Sequence, residues 1–556
     1  MGQSTSSSSQ SGEQPQLPPV KNLDQFLDRL RQLLRAECLT RQEEDWFRSL
    51  FVKFSSGSDT TPTWDESDLI EFLGITLPDD IKPTLRTAGP LIHRCMIRLG
   101  SFPYQNQPVS SLTPDVALVA VIILLRRHKK WARAISDAAT GEDDEEEKWS
   151  EWQRRLFFQC MAIRDSPEED SNQRETASNV GRNDVDDKDL LRAYRFVSDH
   201  NKRRDWERHP KIVHHGPPMI SASELPSSQS QDFSGFIPRN ELESLVKLLI
   251  ANQLYLIGNG PEILVQEGEQ LDVCVESIMN SFPRSDEAPG IGWESFNRVF
   301  SELPNIFSGI NRLLAPFITP HDREQIDSAA RADISVLLQN IYSSPSQPSK
   351  LPEGSIFSLP ILAEIATFLP EGRLAFQDAS LLYTTKGAKL ELATLKREMD
   401  QRSQPLLLLV SGVASGKGDS NERTSICIGA FLPDKDQEKR HIEQGILPML
   451  SNVFQLRPSH NVSSGPEATV TGEESSNILE VKIAERDYAT ARLVLDEQAQ
   501  TAIIHHRKHD ENGDTPTSEI EVKAVDLVGF PSDKGLLDSL VDRKFFIDSE
   551  PKLKGK

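Results

Sequence analysis

Cysteine is scarce in this chain, with five residues among 556. The five are Cys38, Cys95, Cys160, Cys274 and Cys427. They are far apart, odd in number and free of any C-x-x-C spacing, which is typical of a reducing compartment and of single thiols in helices or strands. Buried, inert thiols are therefore expected, and a redox role for one of them is the alternative.

Long apolar runs and an excess of positive charge are also missing. The N-terminal stretch MGQSTSSSSQSGEQPQ has no apolar segment of the kind that a secretory signal needs. The strongest apolar run, Val116 to Leu125, is about half as long as the ~20 residues that span a bilayer, so it predicts a buried helix. The formal net charge of −22 disfavours a general binder of phosphate backbones.

The chain is long enough for two or three domains, and its hydrophobic share of 37% can build globular cores while leaving room for disordered segments. Composition and periodicity predict the following division: a disordered, lipid-modified tail (1–20), a helical EF-hand-like region (21–140), an acidic and polar linker with one docked helix (141–190), a helical region (191–342), a Pro/Ser linker (343–354), a strand-rich domain (355–530) and a tail (531–556).

The first residues fit the N-myristoylation pattern M-G-x-x-x-[ST], with Gly2 as the acceptor and Ser6 as the hydroxyl residue. One myristoyl chain binds a membrane only marginally, with an association constant of about 10⁴ M⁻¹, so stable attachment needs a second contact. The basic cluster from Arg126 to Lys130 or a protein partner on the membrane could supply it. The acidic character of the chain favours the partner.

Apolar residues recur at spacings of three and four from Leu23 to Leu34 and again from Trp46 to Phe54, which predicts two amphipathic helices. A polar loop and the segment DESDLIEFLGI follow, and this layout resembles an EF-hand. Calcium ligands are not in place, because Gly57 occupies a ligand position and Thr60 stands where the loop needs glycine. A degenerate, structural EF-hand without metal is expected.

Later segments change from helical to strand-like periodicity. The acidic run from Gly141 to Lys148 predicts a solvated linker, and WSEWQRRLFFQCMAI predicts a docked helix. Further helices are predicted at 241–255, 270–282, 293–303 and 331–342. Strands are predicted at 405–412, 424–433, 491–497, 501–507 and 519–530, which indicates an antiparallel sheet or sandwich.

Five motifs occur in a fixed order between Glu353 and Phe530. They are the helix IFSLPILAEIATFLPE; Leu381, Leu382 and Tyr383 before two threonines; the run Leu406 to Val410 followed by Gly429, Ala430 and Phe431; the strand with Leu495 and Asp496; and the aliphatic strand Val525 to Phe530 with Gly529. In this order they resemble the TLDc family. The glycine-bearing N-terminus and the helical middle resemble its fungal restriction-of-telomere-capping branch.

The sequence departs from the family at two places. PMLSNVFQLRP lacks the glycines that usually precede a phenylalanine-rich strand, and Val528 stands where the family has tryptophan. This copy is therefore a divergent one.

The resemblance implies an α+β protein, with a helical N-terminal half and a C-terminal TLDc antiparallel β-sandwich with helices. It implies binding rather than catalysis: a non-catalytic adaptor or regulator that docks on the vacuolar proton-pumping ATPase and is linked to oxidation resistance. The motif residues are expected to build the domain. The expected location is cytoplasmic, at the periphery of the vacuolar membrane. No cofactor, metal, small-molecule substrate or nucleic acid is expected.

Competing motifs are weaker. VSGVASGKGDS has one residue too few between its glycines for a P-loop and is interpreted as a hairpin loop. His505, His506 and His509 lack partners at zinc-like spacing and are interpreted as surface residues. The basic stretch from Asn201 to His215 is the candidate for a telomere or chromatin factor. A redox enzyme would need a reactive thiol of low pKa, with Cys427 or Cys274 as candidates.

Overall fold

The computed structural model describes residues 23–55, 62–74, 77, 79–102, 111–124, 145–163, 235–257, 262–283, 290–314, 317, 355–369, 380–385, 387–400, 404–414, 425–434, 450–472, 477–485, 488–506 and 518–530. Gly2, the basic stretches at 126–130 and 201–215, the helix predicted at 331–342, the linker at 343–354 and His509 lie outside the described residues.

The described helices are α1 (Leu23–Cys38), α2 (Arg41–Phe54), α3 (Glu66–Gly74), α4 (Lys82–Gly100), α5 (Pro114–Leu124), α6 (Glu145–Met161), α7 (Arg239–Ile257), α8 (Glu262–Asn280), α9 (Trp293–Glu302), α10 (Ser308–Leu314), α11 (Leu359–Ala366) and α12 (Leu392–Asp400). The described strands are β1 (Ser380–Thr384), β2 (Leu406–Ala414), β3 (Ser425–Leu432), β4 (Ser451–Arg457), β5 (Asn461–Gly465), β6 (Glu467–Thr471), β7 (Ile478–Glu485), β8 (Tyr488–Asp496), β9 (Thr501–His506) and β10 (Ser518–Gly529). A helical N-terminal region and a strand-rich C-terminal region confirm the predicted α+β class.

The predicted amphipathic helices form as their spacing requires. Helix α2 begins with a capping box, in which Glu43 N–H donates to Thr40 Oγ1 at 3.2 Å and Thr40 N–H donates to Glu43 Oε2 at 2.8 Å. Its apolar stripe from Trp46 to Phe54 is buried. Helix α5 is buried from Val116 to Leu124, which confirms the interpretation of the apolar run. No described helix is long and apolar enough to cross a membrane.

The helical part is built from helix–loop–helix units that join in pairs through their loops. Trp64 and Leu112 form one isolated antiparallel bridge, and Ile237 and Ile291 form another. Each of these four residues lies two positions before the first residue of a helix, namely α3, α5, α7 and α9 in turn. The bridges therefore pair α2–α3 with α4–α5, and α6–α7 with α8–α9.

Two arginines of α4 fasten the first pair of units to the second. Arg98 Nη1 donates to the carbonyls of Gln159 at 3.1 Å and Ala162 at 2.5 Å, at the end of α6. Arg94 Nε donates to Met161 O at 2.9 Å, and its Nη2 lies 2.6 Å from Glu241 Oε2 on α7. These guanidinium groups satisfy carbonyls that a helix C-terminus leaves without partners, and their positive charge suits that end of the helix dipole.

The predicted solvated linker at 141–148 is wrong for its second half, because α6 already begins at Glu145. The helix continues from there to Met161.

The strands form one antiparallel sheet in the order β5-β4-β3-β2-β10-β9-β8-β7-β6. Strand β10 pairs with β2 from Ile520 to Gly529, with β9 near its start and with β1 near its end. Strands β5 and β6 are separated only by Pro466, and they pair with β4 and β7 respectively. The two ends of the sheet therefore meet at one bent strand, and the sheet closes on itself.

The bend depends on Gly465. A Cβ at this position would lie 2.5 Å from Ile483 Cγ2 and 2.9 Å from Ala484 O on the opposite half of the sheet. Only glycine allows this close approach without moving β7.

The folded sheet has two buried faces. Leu408, Ile428 and Leu527 point inward and pack against Val481 and Leu493 from the other half of the sheet. Outward-facing residues of the same strands belong to a second core, which is continuous with the helices; they include Leu407, Leu409, Phe431, Phe454 and Val528. This core places the helical region directly on the outer face of β2, β3 and β4.

The strands predicted from sequence correspond to β2, β3, β8, β9 and β10. Strands β2 and β3 pair antiparallel. Residues Val410 to Ala414 of VSGVASGKGDS belong to β2, so the interpretation of that segment as a loop is wrong for them, and residues 415–420 lie outside the described residues. The interpretation of His506 as a surface residue is wrong. His506 is partly buried, Ser463 Oγ is 2.9 Å from its Nδ1, and burial lowers its pKa to about 4.

Replacing Gly429 by valine is expected to destabilise the fold by about 3 kcal/mol or to prevent folding, because the new side chain overpacks the sheet. A Cβ there would clash with Leu408 O and lie 2.6 Å from the Phe454 ring. Chemical denaturation measures the loss. Gly292→Ala is the control, since nothing lies within 4 Å of its Cβ position. Equal stability of the two variants would contradict the prediction.

Acid is expected to weaken the fold through His506. Its folded-state pKa of about 4 lies below the ordinary histidine value of 6.5, so the unfolded chain binds the proton more readily. Stability is therefore present above pH ~6.5 and falls on the order of 2 kcal/mol as the pH drops towards 4. Denaturation midpoints at several pH values measure this slope. His506→Gln should reduce the slope, and an unchanged slope would argue against this residue as its source.

Candidate functional site: the buried junction between helices and sheet

The hairpin of β4 and β5 is the part of the sheet that enters the helical region. Its backbone is bonded to α8 and to the residue that follows it: His460 N–H donates to Ser277 O at 3.2 Å, and Ser281 Oγ donates to His460 O at 2.7 Å. Ser277 Oγ also bonds to Leu456 O. The hairpin turn thus has its polar backbone satisfied by the helices rather than by solvent.

Glu364 of α11 is the central side chain of this junction. It is a single carboxylate in an otherwise apolar helix and is 0% exposed. Its Oε1 lies 3.0 Å from Nδ1 of His460, whose side chain is 1% exposed. Phe368 packs on the imidazole, with ring centroids 5.6 Å apart. A buried carboxylate without such a partner would be strongly destabilising, so this pair fixes the helix on the hairpin.

Two cysteines and an arginine border the pair. Cys274 of α8 is hydrogen-bonded to Glu364 and lies 4.0 Å from the Arg457 guanidinium. Burial is the main reason why the pKa of Cys274 is raised well above its usual value. Burial likewise raises the pKa of Cys427 on β3 to about 12.

These groups resemble a nucleophile with its base and orienting acid, yet their arrangement does not activate the thiol. Activation requires the imidazole to accept the thiol proton, or a lowered thiol pKa. Here Glu364 contacts both the thiol and the imidazole, and the pKa of each candidate thiol moves upward. The redox alternative requires a thiol of low pKa at Cys274 or Cys427, whereas burial raises the pKa of both.

A second buried carboxylate holds the start of the same segment. Asp526 of β10 is 0% exposed and accepts a hydrogen bond from Ile356 N–H at 2.6 Å, and it also bonds to Ser355 Oγ. At the other end, Asn305 N–H donates to Thr367 O at 2.8 Å. Residues 355–369 are therefore fastened to the sheet at their start and to the helical region at their end.

Three of the predicted motif residues lie on β1. Leu381 is paired with Val528 on β10, and Gly529 is paired with Ser380. A Cβ at Gly529 would lie 2.9 Å from Leu382 Cδ1, so the two motifs pack directly on each other. The hydroxyl of Tyr383 accepts a hydrogen bond from Glu391 N–H at 3.0 Å, and burial raises the pKa of Tyr383.

The remaining motif residues lie elsewhere in the sheet. Ala430 points inward from β3 and Phe431 points outward, so the two side chains belong to different cores. On β8, Leu495 is buried, and Asp496 Oδ1 accepts a hydrogen bond from Ala499 N–H at 2.8 Å in the turn before β9.

Sequence reasoning missed the residues of the junction: Glu302, Glu364, Arg457, His460 and Asp526. A signal for two of them was present. Glu364 is the one charged residue in IFSLPILAEIATFL, and Asp526 interrupts the apolar run of β10. A lone charge in an apolar element needs a buried partner. The partner itself, His460, comes from a turn with no such signal.

Among the residues that the structure describes, no group of three or more histidine, cysteine or acidic side chains could hold a metal ion.

Comparisons with known proteins give fungal relatives at low identity. No protein-family model matches the chain. A protein of Aspergillus flavus named "Restriction of telomere capping protein 5" is 24% identical, over 92% of this chain and 87% of its own length. Proteins of the same name from Fusarium vanettenii and Trichophyton verrucosum are 24% and 25% identical, each over 72% of this chain. The chain spans 63% and 64% of those two relatives, which is less than two thirds.

The rate of thiol labelling should show whether the two junction cysteines, Cys274 and Cys427, are unreactive in the native protein. In the native protein, Cys274 and Cys427 are expected to react with a thiol reagent at least ~100-fold more slowly than in denaturant, because burial disfavours the thiolate. Cys38 is only partly buried and provides an internal comparison. Peptide mapping of the labelled sites measures the rates. Rapid labelling of either junction cysteine before Cys38 would contradict the prediction.

Proposed function

We propose that this protein is a non-catalytic adaptor or regulator, which binds the vacuolar proton-pumping ATPase at a membrane surface and is linked to oxidation resistance. The ordered motifs between Glu353 and Phe530 support the proposal through their resemblance to TLDc proteins. The fungal relatives support a regulatory protein in the coarser sense that their shared name gives.

The junction is the structural observation that carries the adaptor proposal. The buried glutamate, histidine and cysteine groups bond to one another and join the helical region to the sheet. An adaptor that binds two partners at once needs its two halves held in one relative orientation. This cluster holds them in that way. Its ionisable groups serve packing and orientation, which favours binding over chemistry.

Attachment to the membrane stays a prediction from the residues around Gly2. In the proposal, a myristoyl group and the ATPase act together, because either contact alone is weak or unspecific. The protein would then lie on the cytoplasmic side, at the periphery of the vacuolar membrane.

A telomere or chromatin factor is the second candidate, and the printed name of the relatives is what favours it. Its sequence candidate, Asn201 to His215, lies outside the described residues. The net charge of −22 opposes binding to a phosphate backbone.

Quantitative affinity purification of the full chain with a C-terminal tag, from gently solubilised cells, tests the proposal. Vacuolar ATPase subunits are expected at least ~10-fold above a tag-only control, as a specific complex requires. Gly2→Ala, which removes the lipid acceptor, should lower this enrichment without abolishing it. A labelled myristate analogue would verify the modification directly.

Two outcomes would count against the adaptor. Enrichment of chromatin proteins without ATPase subunits would move the assignment to the second candidate. Absence of both, from a protein shown to be folded, would mean that this divergent chain has not kept the partner of its family.

A further inference from the structure

Buried polar atoms at the junction lack a hydrogen-bond partner among the residues that the structure describes. They include Glu364 Oε2, Asp526 Oδ1, Arg457 Nε and His460 Nε2. The two carboxylates belong to residues that are 0% exposed. Unpartnered buried polar groups are rare in folded proteins, because each one forfeits its hydrogen bonds to solvent. These atoms therefore indicate that a further group binds at the junction.

The unpartnered atoms gather around one residue of the sheet. Cys427 of β3 interacts electrostatically with Arg457, Glu364 and Asp526, which come from three different elements. Cys274 of α8 links two of the three, since it is hydrogen-bonded to Glu364 and lies 4.0 Å from the Arg457 guanidinium. The atoms thus share one region, on the outer face of β3 where α8 and α11 cover it.

The strands leave room at this point because their side chains are small. Ser411 of β2 is the register partner of Cys427, and Ala524 of β10 is the register partner of Ser411. Residues directly opposite one another on antiparallel strands share a face, and alternation along β2 places Ser411 on the outer face with Leu407 and Leu409. Ser411 and Ala524 are only half-buried, so this row of small side chains leads from solvent to Cys427.

The group that binds here must both donate and accept hydrogen bonds. The carboxylate oxygens of Glu364 and Asp526 accept them, whereas Nε of Arg457 carries a hydrogen and donates one. A cation alone satisfies only the carboxylates, and an anion alone satisfies only the guanidinium. A water molecule donates two hydrogen bonds and accepts two, so water serves all of these atoms.

We propose that the junction contains a site for ordered water, in which water molecules bridge Glu364, Asp526 and Arg457 beside Cys427. The water molecules complete the hydrogen bonding of side chains from α11, β10 and β4. They therefore belong to the contact between the helical region and the sheet, and the row of small side chains leaves space for them. The site does not depend on the identity of the partner proposed above.

A high-resolution crystal structure of the full chain tests the site directly. Water oxygens are expected within ~3.2 Å of Glu364 Oε2 and of Asp526 Oδ1, which is the range of a hydrogen bond. Direct hydrogen bonds from these two oxygens to protein donors would overturn the proposal. An ion bound in place of water would overturn it as well.

Paired substitutions of Cys427 test the same site in solution. Beside water, the hydroxyl of Cys427→Ser gains hydrogen bonds that the methyl group of Cys427→Ala lacks. The unfolding equilibrium constant of Cys427→Ser should therefore be about fivefold lower than that of Cys427→Ala. Denaturant titration of the full chain measures both constants. Greater stability of Cys427→Ala would mean that the site is dry and the proposal wrong.

Cys95 of α4 is the matched control. It is buried in the apolar core of the helices, and burial raises the pKa of Cys95 and of Cys427 alike to about 12. The order should be reversed there, with Cys95→Ala more stable than Cys95→Ser, because a buried hydroxyl without a partner is destabilising. A preference for serine at both positions would be a property of the substitution and would count against the water site.

Discussion

The fold depends on a sheet that is buried on both faces. Strands β2 and β3 face the other half of the sheet on one side and the helices on the other. Any polar side chain on these strands, or on an element that covers them, must find its partner inside the protein. The pairings of Glu364 with His460 and of Asp526 with Ile356 N–H follow from that constraint. Polar groups at these positions consequently act as orienting contacts between elements.

The helical half obeys a related constraint in a different way. Each loop bridge, such as that between Trp64 and Leu112, satisfies two backbone groups and sets the distance between neighbouring units. The arginines of α4 join the two pairs of units by donating hydrogen bonds to carbonyls at the end of α6. Glu364 joins a helix to the sheet in a comparable way. Few contacts fix many helices, since each contact is at least partly buried and has one partner geometry.

Sequence periodicity predicted the elements that bury a regular stripe or run. Helices α1, α2 and α5 and strands β2, β3 and β10 are of this kind. Strands β5 and β6 were not predicted, because NVSSG and EATVT carry few apolar residues and owe their extended form to pairing with β4 and β7. Strand β4 lies in PMLSNVFQLRP, the segment without the glycines that usually precede a phenylalanine-rich strand. Pairing between distant segments overrides local preference in such strands.

The candidate site was harder to predict than the fold for a physical reason. The single acidic residue in α11, Glu364, indicates that a buried partner exists. The identity of that partner depends on which loop the topology brings near. His460 lies in a turn that is 96 residues after Glu364 in the chain. The motifs between Glu353 and Phe530 give no help, since Leu381, Gly429 and Leu495 lie in the sheet, away from His460 in sequence.

The position of α11 also bears on how the protein could work as an adaptor. This helix opens the strand-rich domain in sequence, yet it packs on α7 and α8 and shares its core with them. The buried Glu364–His460 contact and the apolar core around it hold the two halves in one orientation. A partner bound to the sheet is then presented with the helical region in a fixed direction. The apolar core that the helices share with the outer face of the sheet holds the same orientation, so the arrangement does not rest on this one contact alone.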